Sequence, residues 1–365
     1  MISFFLTTRC NLNCIYCYNI EERKKLQERS LPLDIAKAGI DYFFSNNSSR
    51  HIRFYGPGEP TQEFDLMRQI TEYAKLVGDG VSVEIQTNGV FGSAVKEWIL
   101  NNVNILWMSF DGTPDIQNYN RPIGGKYPSA PVIESNVQWL NKNKGDRGLM
   151  VGARVTMTDR NICRQKEMVD YFYKLGIRYI WTNPLFPAVG TIPVCDDKQK
   201  LSKYSFDMEK YLDNYLEAYH YAKEKGLFYG SFLICNFDGE ANINCRACLP
   251  VPHLTPDGYV SACDMVVLGE SAFHMDCFIY GKWDNNSRQF VFYQDKIAGL
   301  RNRTSDKMLH CIHCEARLHC GGYCLGEVVN ETGSLVGQKP TTCKAIRYLL
   351  KELGTFSVPY EYLHP

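Results

Sequence analysis

Three cysteines, Cys10, Cys14 and Cys17, fall within eight residues near the start of the sequence. A segment carrying three thiols that close together has few uses other than wrapping a compact ligand, so it must form a loop rather than a strand or helix interior. The whole chain holds 15 cysteines in 365 residues, an odd number that rules out complete pairing into internal disulfides. No apolar run approaches the ~18 residues of a membrane-spanning helix. Met1–Leu6 has neither the charged start nor the length of a secretion signal. The sequence therefore reads as cytoplasmic, where thiols stay reduced, and its cysteine density points to metal.

Nine of the remaining cysteines lie between Cys245 and Cys343, and only Cys163, Cys195 and Cys235 fall in the long stretch before them. That distribution predicts a catalytic body, residues 1–235, followed by a metal-rich module, residues 236–365. In the body, β-branched and aromatic runs ending at polar or glycine punctuation predict strands over Ile2–Thr8, Ile52–Tyr55, Val81–Gln86, Ile105–Phe110, Met150–Met157 and Ile177–Thr182. Helical stretches separate them at Leu33–Phe44, Phe64–Val77, Ala94–Leu100, Val132–Asn141 and Lys166–Leu175. Six βα units predict an α/β fold, a partial TIM-like (β/α)6 barrel with a parallel sheet. Forty basic residues balance forty acidic ones, which leaves no basic footprint for nucleic acid and no attraction to an acidic membrane surface. The charge-mixed stretch Glu21–Arg29 reads as a solvated loop or helix end.

In such barrels the reacting groups sit beyond the carboxyl ends of the strands. The distinctive polar segments fall there: Arg9–Tyr18 after strand one, Gly56-Pro57-Gly58-Glu59-Pro60 after strand two, Gln86-Thr87-Asn88-Gly89 after strand three, and Ser109-Phe110-Asp111-Gly112 after strand four. A structural zinc site closes with four ligands, yet the next histidine or cysteine after the triad is His51 or Cys163. A [4Fe–4S] centre takes four thiolates, so three would leave one iron open to a ligand or substrate.

The Cys10-x3-Cys14-x2-Cys17 triad, with the rim segments in this order, resembles the radical S-adenosylmethionine (SAM) superfamily. The resemblance implies that SAM chelates the open iron through its amine and carboxylate and is cleaved reductively to a 5′-deoxyadenosyl radical, which abstracts a hydrogen atom. It also implies SAM-contacting roles for Tyr16 beside the adenine, for Gly58, Glu59 and Pro60 at the amine, for Thr87 and Asn88 near the ribose, and for Ser109 and Arg154 at the carboxylate. Pro57-Gly58 stands where the family has a glycine pair. Read without the resemblance, Gly56–Pro60 is a plain turn, Ser109 and Asp111 are caps for the next helix, Arg154 is a paired structural arginine, and Tyr16 and Tyr18 are packing residues.

The second half reads Cys245-x2-Cys248, Gly258-x4-Cys263, Cys311-x2-Cys314-x5-Cys320-x3-Cys324 and Cys343. This looks like the SPASM extension of radical SAM enzymes, which carries two auxiliary [4Fe–4S] clusters and would bring the total to three. Similarity to sulfatase-maturing members implies an inner set of Cys245, Cys248, Cys263 and Cys324 and an outer set of Cys311, Cys314, Cys320 and Cys343. The competing expectation is zinc knuckles that recruit His310, His313 and His319. Cys163, Cys195, Cys235 and Cys277 fit no pattern and read as small buried apolar residues.

Enzymes with this extension mostly modify peptides or proteins, so the resemblance implies a polypeptide substrate and crosslinking, oxidation or epimerisation of a ribosomally made peptide. An electron donor such as flavodoxin or ferredoxin is implied as well. The triad begins at residue 10, which leaves no room ahead of it for a leader-recognition domain; a leader peptide, if there is one, is then expected to be recognised by the core, by the extension or by a separate leader-binding protein. Asp264, next to Cys263, aligns with the general base of sulfatase maturases, although Gly56 stands where those enzymes have glutamine. The alternatives are a formylglycine-generating sulfatase maturase, a small-molecule radical dehydrogenase, and a noncatalytic electron carrier. An electron carrier would have no use for Glu59, Ser109 and Arg154.

Overall fold

The computed structural model describes residues 1–17, 19, 28–186, 206–270 and 272–356. Tyr18, residues 21–27 of the charge-mixed stretch, and Cys195 lie outside the described residues.

Seven strands run parallel and in sequence order: β1 (Ile2–Phe5), β2 (His51–Tyr55), β3 (Ser82–Thr87), β4 (Ile105–Ser109), β5 (Met150–Met157), β6 (Tyr179–Pro184) and β7 (Phe228–Ser231). Helices connect them: α1 (Leu33–Asn46), α2 (Phe64–Val77), α3 (Ser93–Asn102), α4 (Pro114–Asn120), α5 (Ala130–Asn143), α6 (Gln165–Lys174) and α7 (Met208–Glu224). All four residues of β1 are buried, as expected of a parallel strand covered on both faces. In α2 the buried positions are Met67, Ile70, Thr71 and Ala74, an apolar stripe at helical spacing that faces the sheet.

Two differences from the sequence reading have local causes. Strand one stops at Phe5 rather than Thr8, because Thr7 bridges to Ser30 and Thr8 N–H donates to Arg29 O at 3.0 Å, which draws the chain out of the sheet. The barrel also has a seventh strand, β7, with the sequence Phe-Tyr-Gly-Ser. Its glycine reads as turn punctuation, but a Cβ at Gly230 would lie 2.6 Å from the Trp181 ring, so the glycine is there to admit that indole.

The second half adds β8 (His253–Leu254), β9 (Tyr259–Ser261), β10 (Ile279–Asp284) and β11 (Gln289–Phe292). Strand β8 pairs parallel with β1, Ser3 opposite His253 and Phe4 opposite Leu254, and β9 to β11 follow as an antiparallel meander. The result is one eleven-stranded sheet, ordered β11-β10-β9-β8-β1-β2-β3-β4-β5-β6-β7. Helices α8 (Gln294–Arg301), α9 (Leu325–Thr332) and α10 (Pro340–Leu353) complete this half. The main apolar core runs without a break from Phe4, Phe54 and Leu106 to Leu325, Val328 and Ile346. The division we assigned at residues 235 and 236 thus falls between β7 and β8, while sheet and core pass across it.

Candidate active site

The strands deliver their carboxyl ends to one rim, and a cavity of about 330 Å³ opens there. Its walls include Cys10, Cys14 and Cys17 of the first half and Cys245, Cys263 and Cys324 of the second. The same walls hold Tyr16, Gly58, Glu59, Thr87, Asn88, Ser109, Arg154 and Asp264. Of the site residues expected in the first half, only Pro60 is missing from this wall; it is buried at the first position of the helical turn Pro60–Glu63.

The triad loop is held from two directions. From β3, Asn88 Nδ2 donates to Asn11 Oδ1 at 2.7 Å and lies 3.8 Å from Cys10 Sγ. From β2, Gly58 N–H donates to Thr7 O at 3.1 Å and Glu59 N–H to Arg9 O at 2.7 Å. A Cβ at Gly58 would lie 2.0 Å from Arg9 O and 2.7 Å from Thr7 O, so this glycine is fixed by close backbone approach, more than a plain turn requires.

Glu59 is almost fully buried, and its carboxylate is fully engaged. Oε1 accepts from Thr61 N at 3.1 Å, Thr61 Oγ1 at 2.8 Å and Thr87 Oγ1 at 2.6 Å, and Oε2 accepts from Asn88 N at 2.7 Å. Burial pushes its pKa above the ordinary value, against the opposing effect of these donors. Glu59 therefore ties the second and third rim segments together, and the geometry gives its carboxylate a structural role here.

Asp111 does not cap α4, whose N-cap is Thr113. It is fully buried and accepts from Thr156 N at 3.0 Å, Asn120 Nδ2 at 3.1 Å and Tyr16 Oη, and it pairs with Arg121 Nε at 3.2 Å. Arg121 also donates to Thr156 Oγ1 at 3.2 Å, stacks on the Tyr16 ring at 5.1 Å, and directs an N–H at Cys14 Sγ 3.8 Å away. Burial opposes its charge, but Asp111, Tyr16 and Cys14 outweigh that effect and hold its pKa above the ordinary value. The sequence reading missed Arg121, although it follows the Ser109–Gly112 segment by nine positions. A cation against a cysteine sulfur is the kind of outer contact that tunes a metal–thiolate centre.

Arg154 sits on β5 directly opposite Ser109 of β4. Its guanidinium lies over Trp107 at 4.7 Å and Trp181 at 5.4 Å; no carboxylate pairs with it among the described residues, and its buried Nε has no hydrogen-bond partner. Burial is the largest cause holding its pKa down to about 10. Glu84 and Asp264 act on this charge without pairing directly with it, and a buried guanidinium with an unbonded N–H beside a cavity is arranged for an anionic ligand. The expectation of a paired structural arginine is not met.

Asp264 is 39% exposed toward the cavity, and its carboxylate is met by the Arg53 guanidinium and, at 3.3 Å, by His253 Nδ1. Burial raises its pKa, but the Arg53 guanidinium, through its charge and its hydrogen bond, more than offsets this and keeps it below the usual carboxylate range. His253 is fully buried and held neutral at about 3, first by burial and then by Arg53 and Arg246. Asp264 is thus an ionised carboxylate in an electropositive wall.

The second-half cysteines separate into the two expected groups. Cys263 lies close enough to Cys324 and Cys245 for their charges to act on it, and Cys245 contacts Cys248. Cys311, Cys314, Cys320 and Cys343 instead line a separate recess with His310 and Lys339. Among the described residues, no three His, Cys, Asp or Glu converge tightly enough for a single ion, as a zinc knuckle requires. His319 is bound to the carbonyls of Asn236 at 3.3 Å and Gly239 at 3.2 Å, and His313 is exposed. Burial holds the thiols of Cys14 and Cys320 at about 12, so their thiolate forms need an electropositive partner. All-thiol donor sets of three, four and four suit iron–sulfur clusters.

Cys163 is exposed and Cys277 half-buried, contrary to the expectation that both are buried packing residues. Cys235 is buried as expected; it lines the main cavity and receives a hydrogen bond from Asn244 Nδ2 at 3.0 Å.

The fold is thus a partial parallel barrel with three thiols on its first loop and a cavity at its rim lined by Arg53, Arg121 and Arg154. Residues 4–179 match the Radical SAM superfamily, and this part of the chain is a radical SAM domain. The chain is 28% identical over 188 residues to an uncharacterized protein of Methanocaldococcus jannaschii, a match that covers 50% of this chain and 61% of that relative. It is 20% identical to the radical SAM cyclopropyl synthase TigE of Paramaledivibacter caminithermalis over 96% of this chain and 73% of that protein. Identity to a cysteine-type anaerobic sulfatase-maturating enzyme of Clostridium novyi is 24%, over 72% of this chain and 73% of the relative. The fold matches the solved structure "Native anSMEcpe with bound AdoMet and Cp18Cys peptide" with a TM-score of 0.72 at 16% identity, covering 96% of each chain. No helix among the described residues is long and apolar enough to cross a membrane.

Proposed function

We propose that this radical SAM enzyme modifies a peptide, cleaving SAM reductively and abstracting hydrogen from a residue of a ribosomally made substrate. One observation carries the reading: a single cavity joins Cys10, Cys14 and Cys17 to Cys245, Cys263 and Cys324, with the unpaired Arg154 in its wall. In this reading the triad holds a [4Fe–4S] cluster, and the inner and outer sets hold one auxiliary cluster each. Bound SAM supplies the 5′-deoxyadenosyl radical.

The chain's own residues do the rest. Arg154 and Ser109 receive the SAM carboxylate, Tyr16 packs at the adenine, and the Gly58-Glu59 backbone stands at the amine, held in place by the Glu59 carboxylate and Thr87. Asn88 positions the Cys10 end of the loop. Asp264 takes the proton released as the substrate radical is oxidised. Cys245, Cys263 and Cys324 of the inner set face the same cavity, which puts an electron acceptor within reach of that radical. A flavodoxin or ferredoxin supplies the reducing electron, a separate protein presents the leader peptide, and a cytoplasmic setting keeps the thiols reduced.

The similarity to a structure solved with both AdoMet and a peptide supports a peptide substrate. Sulfatase maturation is the second reading, favoured by the ionised Asp264 beside Cys263 and by the sulfatase-maturating relative.

The test is anaerobic reconstitution with iron and sulfide analysis, followed by a reductant-dependent assay for 5′-deoxyadenosine. The expected result is about twelve irons per chain, three [4Fe–4S] clusters, with deoxyadenosine formed. Short peptides encoded nearby, labelled with deuterium, then pass label into deoxyadenosine if they are substrates. Zinc in place of iron, without SAM cleavage, overturns the proposal.

A further inference from the structure

Arg303 is among the largest fully buried side chains, and among the described residues it has no carboxylate partner. Its guanidinium binds four backbone carbonyls, Nη1 to Gly321 O at 2.9 Å and Tyr323 O at 3.4 Å, Nη2 to Gly322 O, and Nε to Leu335 O at 3.3 Å, and it also hydrogen-bonds Cys248 of the inner set. Three of these carbonyls belong to residues 321–323, which are the whole connection between Cys320 of the outer set and Cys324 of the inner set. The approach is close enough that a Cβ on Gly322 would lie 2.8 Å from Nη1, and Gly322 has φ of +84°. The backbone there is shaped around the guanidinium.

Carbonyl oxygens satisfy the N–H groups but leave the charge uncompensated, and an isolated buried cation costs several kcal/mol. The anions within reach are sulfurs. The Arg303 charge acts on Cys245 and Cys248 of the inner set and on Cys311 of the outer set. A [4Fe–4S] centre with four thiolates carries net negative charge in both of its usual states. Two such centres flanking one buried guanidinium would supply the counter-charge that no side chain provides.

We propose that Arg303 is the shared counter-ion of the two auxiliary clusters and the residue that positions the strap between them, so that it raises both of their reduction potentials. This rests on the assignment of two auxiliary clusters made above. The cation stabilises the reduced, more negative state of each cluster. Removing it therefore lowers both potentials, and the SAM-binding cluster, whose Cys14 feels Arg121 rather than Arg303, stays where it was.

The experiment compares the reconstituted wild-type protein with Arg303→Gln and Arg303→Lys, by iron content and by potentiometric titration followed by electron paramagnetic resonance. Arg303→Gln is expected to lower the reduced fraction of both auxiliary clusters at least tenfold at fixed potential, a shift of 59 mV or more for a one-electron couple. Arg303→Lys, which keeps the charge and loses the fork, is expected to stay within threefold of wild type. If Arg303→Gln fails to hold iron, Arg303→Lys decides: full iron at near-native potentials supports the counter-ion, whereas the same loss in both variants leaves Arg303 only a backbone clamp and overturns the proposal. Unshifted potentials in an iron-replete Arg303→Gln also overturn it. Four irons in the wild-type protein would instead refute the assignment on which the proposal rests.

Discussion

Replacing Arg154 with methionine should move ligand affinity and protein stability in opposite directions. A guanidinium held at about 10 rather than its ordinary 12.5 costs the fold about 3 kcal/mol at neutral pH. The sign follows from the lowered value: the folded protein disfavours the charged form, so the cost is present at every pH below about 10. Methionine occupies a similar volume and keeps favourable contact with Trp107 and Trp181, so the SAM-free variant should be as stable as wild type or more so. Charge-assisted hydrogen bonds are worth about 1.5–3 kcal/mol each, so losing the fork should weaken SAM binding roughly 10- to 150-fold. Anaerobic calorimetry gives the affinity, and thermal denaturation without SAM gives the stability. Unchanged SAM affinity, or a fall of several degrees in the melting temperature, would refute the argument that this cation awaits an anion.

The Gly58→Ala variant places a methyl group against two carbonyl oxygens and should break the Gly58–Thr7 and Glu59–Arg9 bonds. We expect loss of about four irons of twelve, measured by iron analysis, with the other eight retained. Because His253 stays neutral in the fold with its value depressed to about 3, the unfolded chain alone takes up its proton below about 6.5. Stability should therefore fall by about 1 kcal/mol as pH drops from 6.5 to 5.5 and by about 1.4 kcal/mol over the next unit, read from anaerobic urea midpoints, and His253→Leu should lose that dependence. Asp264→Asn should leave deoxyadenosine formation intact and abolish the oxidised product by mass spectrometry; normal product would remove Asp264 from the chemistry.

The parts legible in the sequence were those encoded locally. The triad spacing, the rim segments and the apolar runs of six strands each announce themselves within a few residues. What stayed hidden depends on contacts between distant segments. Arg121 looks like any arginine at a helix end until the fold brings it to Cys14. Glu59 reads as a ligand-facing carboxylate, and only the nearness of Thr87 and Asn88 shows that its oxygens are taken. Strand β7 was missed because its glycine serves the packing of Trp181, a requirement set by a neighbouring strand. Arg303 has no motif around it; its meaning comes from three carbonyls and two cysteine sets that meet there.

The pairing of β8 with β1 also bears on how the protein is made. Strand β1 leads directly into the triad loop, yet one of its edges is completed by His253 and Leu254. During synthesis that edge stays open until His253 and Leu254, far along the chain, have left the ribosome. A nascent or truncated chain ending near residue 235 would present an unpaired parallel strand beside three free thiols, a combination prone to aggregation and oxidation. The second half therefore acts as the late-arriving cover of the first, and iron delivery to the triad has a defined interval in which to occur.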